Sequence, residues 1–329
     1  MSKALIIEES SMKKPKVSVC LITYNHEKYI RQCMQSLVDQ QTSFDYEIIV
    51  GDDASTDGSR AIIREFALRY PDLVKVLFHE ENVGPSQNYR DVHFQARGEY
   101  LAHIDGDDYW MPWKLQLQAD FLDAHQECVA VYCNALVLTD DHKFLGVFND
   151  HIPEVFDLGF LLAEGNFLNN SSLCYRSRYR ERVVPHAHFL DYLVHLRLGC
   201  SGKLGYLNKV LVVYRVGSET SILVQMTDKC RLLSWETLQA AQHMPVSKAV
   251  QRNAVSLFIF DVLHEGLRRF DMPFLHHWMH RIYRESGAVR NSAMFVGMLR
   301  VCASIVTAPP RRMRRFVFGP TAFRVLHSR

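Results

Sequence analysis

Three short polar stretches, each directly behind an apolar run, hold the residues best suited to chemistry. One is the acidic turn Asp105-Gly106-Asp107-Asp108, which follows the run YLAHI. Carboxylates this close repel one another unless a cation or hydrogen-bond donors compensate them, and hard divalent cations take oxygen ligands. Mg2+ or Mn2+ on a diphosphate is the chemistry this suggests, and a solvated acidic turn is the plain alternative. Thr23-Tyr24-Asn25 follows VSVCLIT, and the loop from Gly51 to Gly58 (GDDASTDG) follows YEIIV. A tyrosine face and a carboxylate can hold a nucleobase, by stacking and by accepting its imide N–H. Each of these loops alone reads as ordinary turn chemistry. Three of them at strand ends point to a nucleotide site.

The elements that must carry these loops are legible in the apolar periodicity. Val17–Thr23 is a continuous β-branched run, as expected of a strand covered on both faces. Ile30, Cys33, Met34, Leu37 and Val38 then keep helical spacing, with Asn25 as the expected N-cap. The scheme repeats: a strand at Tyr46–Val50, a helix through Ile62, Ile63, Phe66 and Ala67, a strand at Val74–Phe78, a helix over Ser86–Ala96 and a strand at Tyr100–Ile104. Strand-helix alternation implies an α/β fold with a mainly parallel sheet flanked by helices, whose ligands sit beyond the carboxyl ends of the strands. From Val129 the alternation loosens into one more apolar run, a loop-rich stretch, a helix over Phe189–Leu198 and the strand-like LNKVLVVYR. Beyond Ser221 the pattern is helical, and a boundary is expected between Arg215 and Met226.

Composition excludes several classes. The chain has 329 residues, 48% of them hydrophobic and 22% charged, which rules out disordered and disulfide-scaffold proteins. Its longest stretch without Asp, Glu, Lys or Arg is the twelve residues Cys128–Thr139, too short to cross a bilayer, which takes roughly 20. The polar leader (residues 1–15) carries glutamates where an export signal would be apolar. The eight cysteines contain no CxxC pair, and free thiols in a reducing cytoplasm are expected. Neither a dinucleotide GxGxxG after the first strand nor a P-loop is present. Net charge is only +2, yet the segment from Ser286 onward holds eight arginines with no lysine and no acid, so the rest of the chain is net negative. Such a basic tail suits an anionic surface.

VSVCLITYN, the DDASTDGS loop, NVGPSQNYR (Asn82 to Arg90) and DGDDYW together resemble the nucleotide-sugar half of family-2 glycosyltransferases. The resemblance is dense from Lys16 to Trp113, thins towards Arg215 and does not reach the last hundred residues. It implies a GT-A fold over residues 16–220, while residues 221–329 read as helical from their own pattern and as basic from 286. It also implies that Tyr24 and Asp53 recognise the base, and that Asp105 and Asp107 are the first and last carboxylates of the DxD motif. Asp107 is then the metal ligand, with Asp105 on the ribose or the metal's water shell. Thr23, Asn25, Asn82 and Arg90 complete the expected nucleotide-sugar contacts, and Asp108, one residue past the motif, is read as a helix cap. FLDYLVHLRLG matches the element that carries the family's general base and puts Asp191 in that role. Two departures stand out: Leu190 occupies the place of a second acid, and Gly217 the place of a histidine two residues after Arg215. Arg215 is left as the cation for the diphosphate.

The reading is an inverting glycosyltransferase using Mg2+ or Mn2+ and a nucleotide-sugar, expected to be a UDP-sugar, with a glycan or lipid-linked saccharide as acceptor. A sugar-1-phosphate nucleotidyltransferase would share the architecture but needs a glycine- and arginine-rich first loop, which this chain lacks. A catalytically silent nucleotide-sugar-binding or scaffold protein is the other rival, favoured by Leu190 and Gly217. His186 and His188, although near Asp191, are not expected to bind metal among 16 scattered histidines. Asn169, Asn170, Ser171 and Ser172 are suited to acceptor hydroxyls or to an ordinary loop. In the tail, Met294, Phe295, Met298, Leu299, Val301, Cys302, Ile305 and Val306 can cover one helical face before Pro309-Pro310 and the cluster Arg311, Arg312, Arg314 and Arg315. The expected partner of this segment is an anionic membrane surface on the cytoplasmic side, against the alternative of a helix packed on the protein. Nucleic acid is not an expected partner.

Overall fold

The structure, a computed structural model, describes residues 14–141, 143–216, 227–307 and 324–327. Most of the leader, Gly217 and the Arg311–Arg315 cluster lie outside these residues.

The apolar runs become strands and the periodic segments become helices in the expected order: β1 (Val17–Thr23), α1 (Glu27–Val38), β2 (Tyr46–Asp52), α2 (Ser59–Arg69), β3 (Val74–Phe78), α3 (Pro85–Gln95) and β4 (Tyr100–Asp105). Ile30, Cys33, Met34 and Leu37 form the buried stripe of α1, and each large aliphatic among them contributes about 2 kcal/mol by leaving water. The four strands pair in the order β3-β2-β1-β4, all parallel. Register does the positioning: Thr23 lies opposite Asp52, and Ile22 opposite Asp105. The loops behind β1, β2 and β4 therefore leave the sheet side by side at one level.

The next segment builds the far half of the sheet from β5 (Tyr109–Trp110), α4 (Lys114–Ala124), β6 (Cys128–Thr139), β7 (Phe144–Asn149), β8 (Val155–Phe156), α5 (Leu158–Glu164), β9 (Cys174–Arg176), α6 (Arg180–Val183), α7 (Asp191–Gly199) and β10 (Lys203–Val216). Three-residue β9 is wedged antiparallel between β4 and β6, while β10 runs parallel to β6 along its whole length with bulges. Because β10 ends beside the acidic turn, pairing antiparallel with β5, the last strand returns to the first loops.

Among the described residues four α-helices follow: α8 (Thr227–Ala241), α9 (Lys248–Arg269), α10 (Met272–Glu285) and α11 (Arg290–Thr307). Ser247 caps α9 through the Val250 N–H at 3.3 Å, and Asp271 caps α10 through the Phe274 N–H at 2.9 Å. Trp235, Phe258 and Trp278 pack in sequence, with ring centroids 5.1 and 5.6 Å apart. The same apolar core takes in Leu161 of α5 and Leu198 of α7, so these helices cover the face that carries α7. A short strand, β11 (Arg324–His327), pairs parallel with β7.

Candidate active site

The loops behind β1 and β2 hold each other. Asp57 accepts the backbone N–H groups of Glu27 and Ser59, each at 3.0 Å, while Glu27 accepts that of Gly58 at 3.0 Å. The α1 N-terminus is thus capped from the neighbouring loop, and the expected N-cap role of Asn25 is not what the structure shows. Asn25 sits at φ +53° and its side-chain oxygen accepts the Thr56 N–H at 2.8 Å, a bridge between loops. Ala54 is also left-handed, at φ +58°. Strain of this kind persists only where the surroundings enforce it and gathers at functional sites.

Asp53 is buried between these loops and accepts the Val83 and Gly84 N–H groups at 2.7 and 3.0 Å. Burial raises its pKa, and these two bonds work against the shift. Each oxygen keeps further acceptor capacity. Asn82 donates to the Asp53 carbonyl at 3.2 Å, and Tyr24 stands 41% exposed with its ring available. Thr23 is buried, its hydroxyl 3.1 Å from His26 Nδ1. A side chain at Gly106 would lie 2.6 Å from that hydroxyl, so only glycine lets the acidic turn approach β1 this closely.

Within the acidic turn the three carboxylates have separate environments. Asp108 is buried and accepts the Arg215 backbone N–H at 3.0 Å. The expectation of a helix cap is therefore corrected: Asp108 joins the turn to β10. Burial, then repulsion from Asp107 and Asp105, raises its pKa well above the usual carboxylate range. Asp107 is half-buried. Asp105 keeps 36% of its side chain exposed and lies 3.3 Å from His103 Nε2. Burial acts to raise its pKa, but hydrogen bonds from His103 and Asn170 oppose this and it is lowered.

Arg215 is only 4% exposed, its guanidinium between the rings of Tyr29 and Tyr109 at 5.1 and 5.5 Å from their centroids. One nitrogen donates to Gln32, whereas Nε and Nη1 find no partner among the described residues. A buried cation with spare donors is suited to an anionic ligand. Arg90 stacks on Phe94 and meets His186 Nδ1 at 2.7 Å.

Asp191 opens α7, with one carboxylate oxygen on the Tyr192 N–H at 2.7 Å and within 3.4 Å of the Asn166 amide. Burial, reinforced by the charge of Asp105, raises its pKa to about 6. The expected helix over Phe189–Leu198 thus begins two residues later, with the acid at its first position. Around it Tyr132, Tyr192 and His195 bury polar atoms that have no partner among the described residues. These groups escaped sequence reading, as did His93, His103 and Tyr175. The only local signal was a histidine inside the apolar run of β4.

Among the described residues no three His, Cys, Asp or Glu side chains gather closely enough to hold a metal alone. Asp105 and Asp107 nevertheless present hard oxygen donors from one turn. Two carboxylates completed by phosphate oxygens and water is the ordinary way of holding Mg2+ at a diphosphate, so this donor set fits such an ion.

The parallel 3-2-1-4 sheet with an acidic turn at its carboxyl edge is the arrangement expected of a GT-A fold. Residues 18–158 match the model of glycosyl transferase family 2. An uncharacterized protein of Mycobacterium tuberculosis is 34% identical over 228 residues, 67% of this chain and 64% of that protein. The chain therefore spans just under two thirds of the length of that relative. The poly(ribitol-phosphate) beta-glucosyltransferase of Bacillus spizizenii is 38% identical over 95 residues, 29% of this chain and 15% of that one. In fold, the chain is similar to S. aureus TarS 1-349 in complex with UDP-GlcNAc, with a TM-score of 0.64 at 17% identity over 90% of this chain and 93% of that chain. Residues 18–158 of the chain belong to glycosyl transferase family 2. Asp191 and Arg215 lie beyond the matched residues.

Proposed function

We propose that this chain is an inverting glycosyltransferase that moves a sugar from a nucleotide-sugar to a hydroxyl of a glycan or lipid-linked saccharide. The observation that carries this reading is Asp191, a carboxylate at a helix start whose pKa of about 6 suits a general base near neutral pH. The charge of Asp105 in the acidic turn acts on Asp191, which supports a base on the donor side of the sheet. The acceptor hydroxyl oxygen bonds to the anomeric carbon as the bond from that carbon to the diphosphate oxygen breaks. Asp191 takes the hydroxyl proton, and attack opposite the leaving group inverts the configuration.

In this reading Tyr24 stacks on the base, the remaining acceptor capacity of Asp53 takes its imide N–H, and Thr23, Asn25 and Asn82 shape the pocket. The spare donors of Arg215 face the diphosphate. Asp107 and Asp105 would hold Mg2+ or Mn2+, which supplies neutralisation of charge on the departing diphosphate. TarS, similar in fold, is in complex with UDP-GlcNAc. Together with the Tyr24–Asp53 pair this supports a UDP-sugar as donor. The test is a screen of nucleotide-sugars with Mn2+ for released nucleotide. Release of UDP from one of them is expected, whereas pyrophosphate release, or nucleotide binding without turnover across a wide acceptor panel, would overturn the reading.

The tail supports a second element of the proposal. Helix α11 turns Ala293 and Gly297 towards α9, and Arg300 donates to Asn253 at 2.6 Å, so one side is packed as the alternative reading expected. Phe295, Met298 and Leu299 share the opposite side and are 60%, 48% and 51% exposed. With Arg311, Arg312, Arg314 and Arg315 close behind in sequence, this side is suited to an anionic membrane surface. Among the described residues no helix is long and apolar enough to cross a membrane.

A further inference from the structure

A chain of four polar side chains runs through the core to the acidic turn. Tyr175 Oη of β9 lies 2.8 Å from His93 Nδ1 of α3, His93 Nε2 lies 3.0 Å from His103 Nδ1 of β4, and His103 Nε2 lies 3.3 Å from Asp105 Oδ1. Both histidines are fully buried. Tyr89 closes them off, its ring stacked on His93 at 3.8 Å and tilted over His103 at 4.6 Å.

Hydrogen-bond chemistry gives this chain one direction. An ionised carboxylate only accepts, so His103 must carry its proton on Nε2. A neutral His103 then accepts at Nδ1, which requires the proton of His93 on Nε2 and leaves His93 Nδ1 to accept from the Tyr175 hydroxyl. Every donor and acceptor is matched with no charge on either ring. Arg180, whose guanidinium holds the His93 and Ala96 carbonyls at 2.9 and 2.7 Å, adds a positive charge that opposes a second one on His93.

We propose that His103 is a positioning residue for Asp105, and that His93 and Tyr175 fix the tautomer in which it does so. His103 tethers the carboxylate through Oδ1, and the Asn170 side chain is its second hydrogen-bond partner, so the group is held in one orientation toward the donor's diphosphate and its cation. The backbone of the same residue is held by its N–H on Ser171 Oγ at 3.1 Å. A carboxylate oriented in this way loses less freedom on binding, as for metal ligands held by outer partners. The inference rests on the proposed donor site at Asp105.

Two measurements test it. Long-range proton–nitrogen correlation spectra of the unliganded protein near neutral pH should show both rings as Nε2–H tautomers, and an Nδ1–H His103 would overturn the proposal whatever the protein binds. Calorimetry of UDP with and without Mn2+ then reads the function of the tether. His103→Phe and Tyr175→Phe should each lower the Mn2+-dependent affinity about 10-fold, leave metal-free affinity within about twofold, and be answered by recovery to within about threefold in His103→Gln, which keeps a donor near Nε2. Tyr175→Phe is decisive should the strand substitution fail to fold, because it removes one oxygen from a site remote from Asp105. Wild-type affinity in Tyr175→Phe and His103→Phe, with affinity lost in Asp105→Asn, sinks the tether but spares the donor-site reading. Unchanged affinity in Asp105→Asn sinks both.

Discussion

Asp108 Oδ1 accepts the Arg215 backbone N–H at 3.0 Å across 107 residues of chain. That bond fixes the acidic turn against the end of β10, next to Arg215. Because surroundings raise the Asp108 pKa, the amide of Asp108→Asn is a close mimic of its protonated form. Little change in stability is expected for it, whereas Asp108→Ala, leaving a buried N–H unmet, should cost about 1–3 kcal/mol. Chemical denaturation of the two variants checks the difference.

Asp107 contributes to binding rather than to folding in the proposed mechanism. Asp107→Asn should abolish metal-dependent turnover and weaken UDP binding with Mn2+, with the unfolding midpoint unchanged. Calorimetry against the wild type is the measurement, and equal affinities would move the cation elsewhere.

Asp191 separates chemistry from binding. Asp191→Asn keeps the shape but cannot take the proton, so transfer should fall roughly 10²-fold or more with donor affinity nearly constant. The carboxylate must be ionised to act, so wild-type transfer should decline as pH falls through about 6. A pH profile of transfer at saturating donor shows whether that limb is present.

The α11 face carries the membrane proposal. Replacing Phe295, Met298 and Leu299 together by serine should leave nucleotide release intact, since the packed side of the helix is untouched. Co-sedimentation with anionic vesicles at low salt should drop, and wild-type binding should be released by high salt. Equal sedimentation of both proteins would defeat the idea.

Glu47 gives a stability prediction away from the site. It is buried where β1, β3 and the turn before β4 meet, accepting from Ser18 at 2.7 Å, Lys75 at 2.6 Å and the Arg97 backbone at 3.0 Å. Burial alone would raise its pKa, yet the bonds from Lys75, Ser18 and Arg97 lower it to about 2 from 4.5. A carboxylate depressed by folding stabilises above its unfolded pKa, and the effect fades as pH falls from about 4.5 towards about 2. Glu47→Gln should therefore cost about 2 kcal/mol near neutral pH, discounted for the partial solvation of Lys75 and Arg97, and almost nothing at the acid end. Urea midpoints across that range measure it.

Local pattern alone determined β1 to β4 and the helices between them, because a buried strand needs a continuous apolar run and a packed helix needs its 3.6-residue stripe. It also placed Asp53, Asp105 and Asp107 at or just beyond strand ends, where a parallel sheet presents its ligands. What tertiary structure decided is which polar groups meet. Asn25 has the composition of a cap, but α1 is capped by Asp57 because register sets the two loops side by side. Asp108 reads as a helix cap until β10 returns to cover it. Three-residue β9 is too short to carry a pattern, yet it delivers Tyr175 to His93 across 82 residues. Such pairings depend on strand order and register, which long-range packing selects and local propensity does not encode.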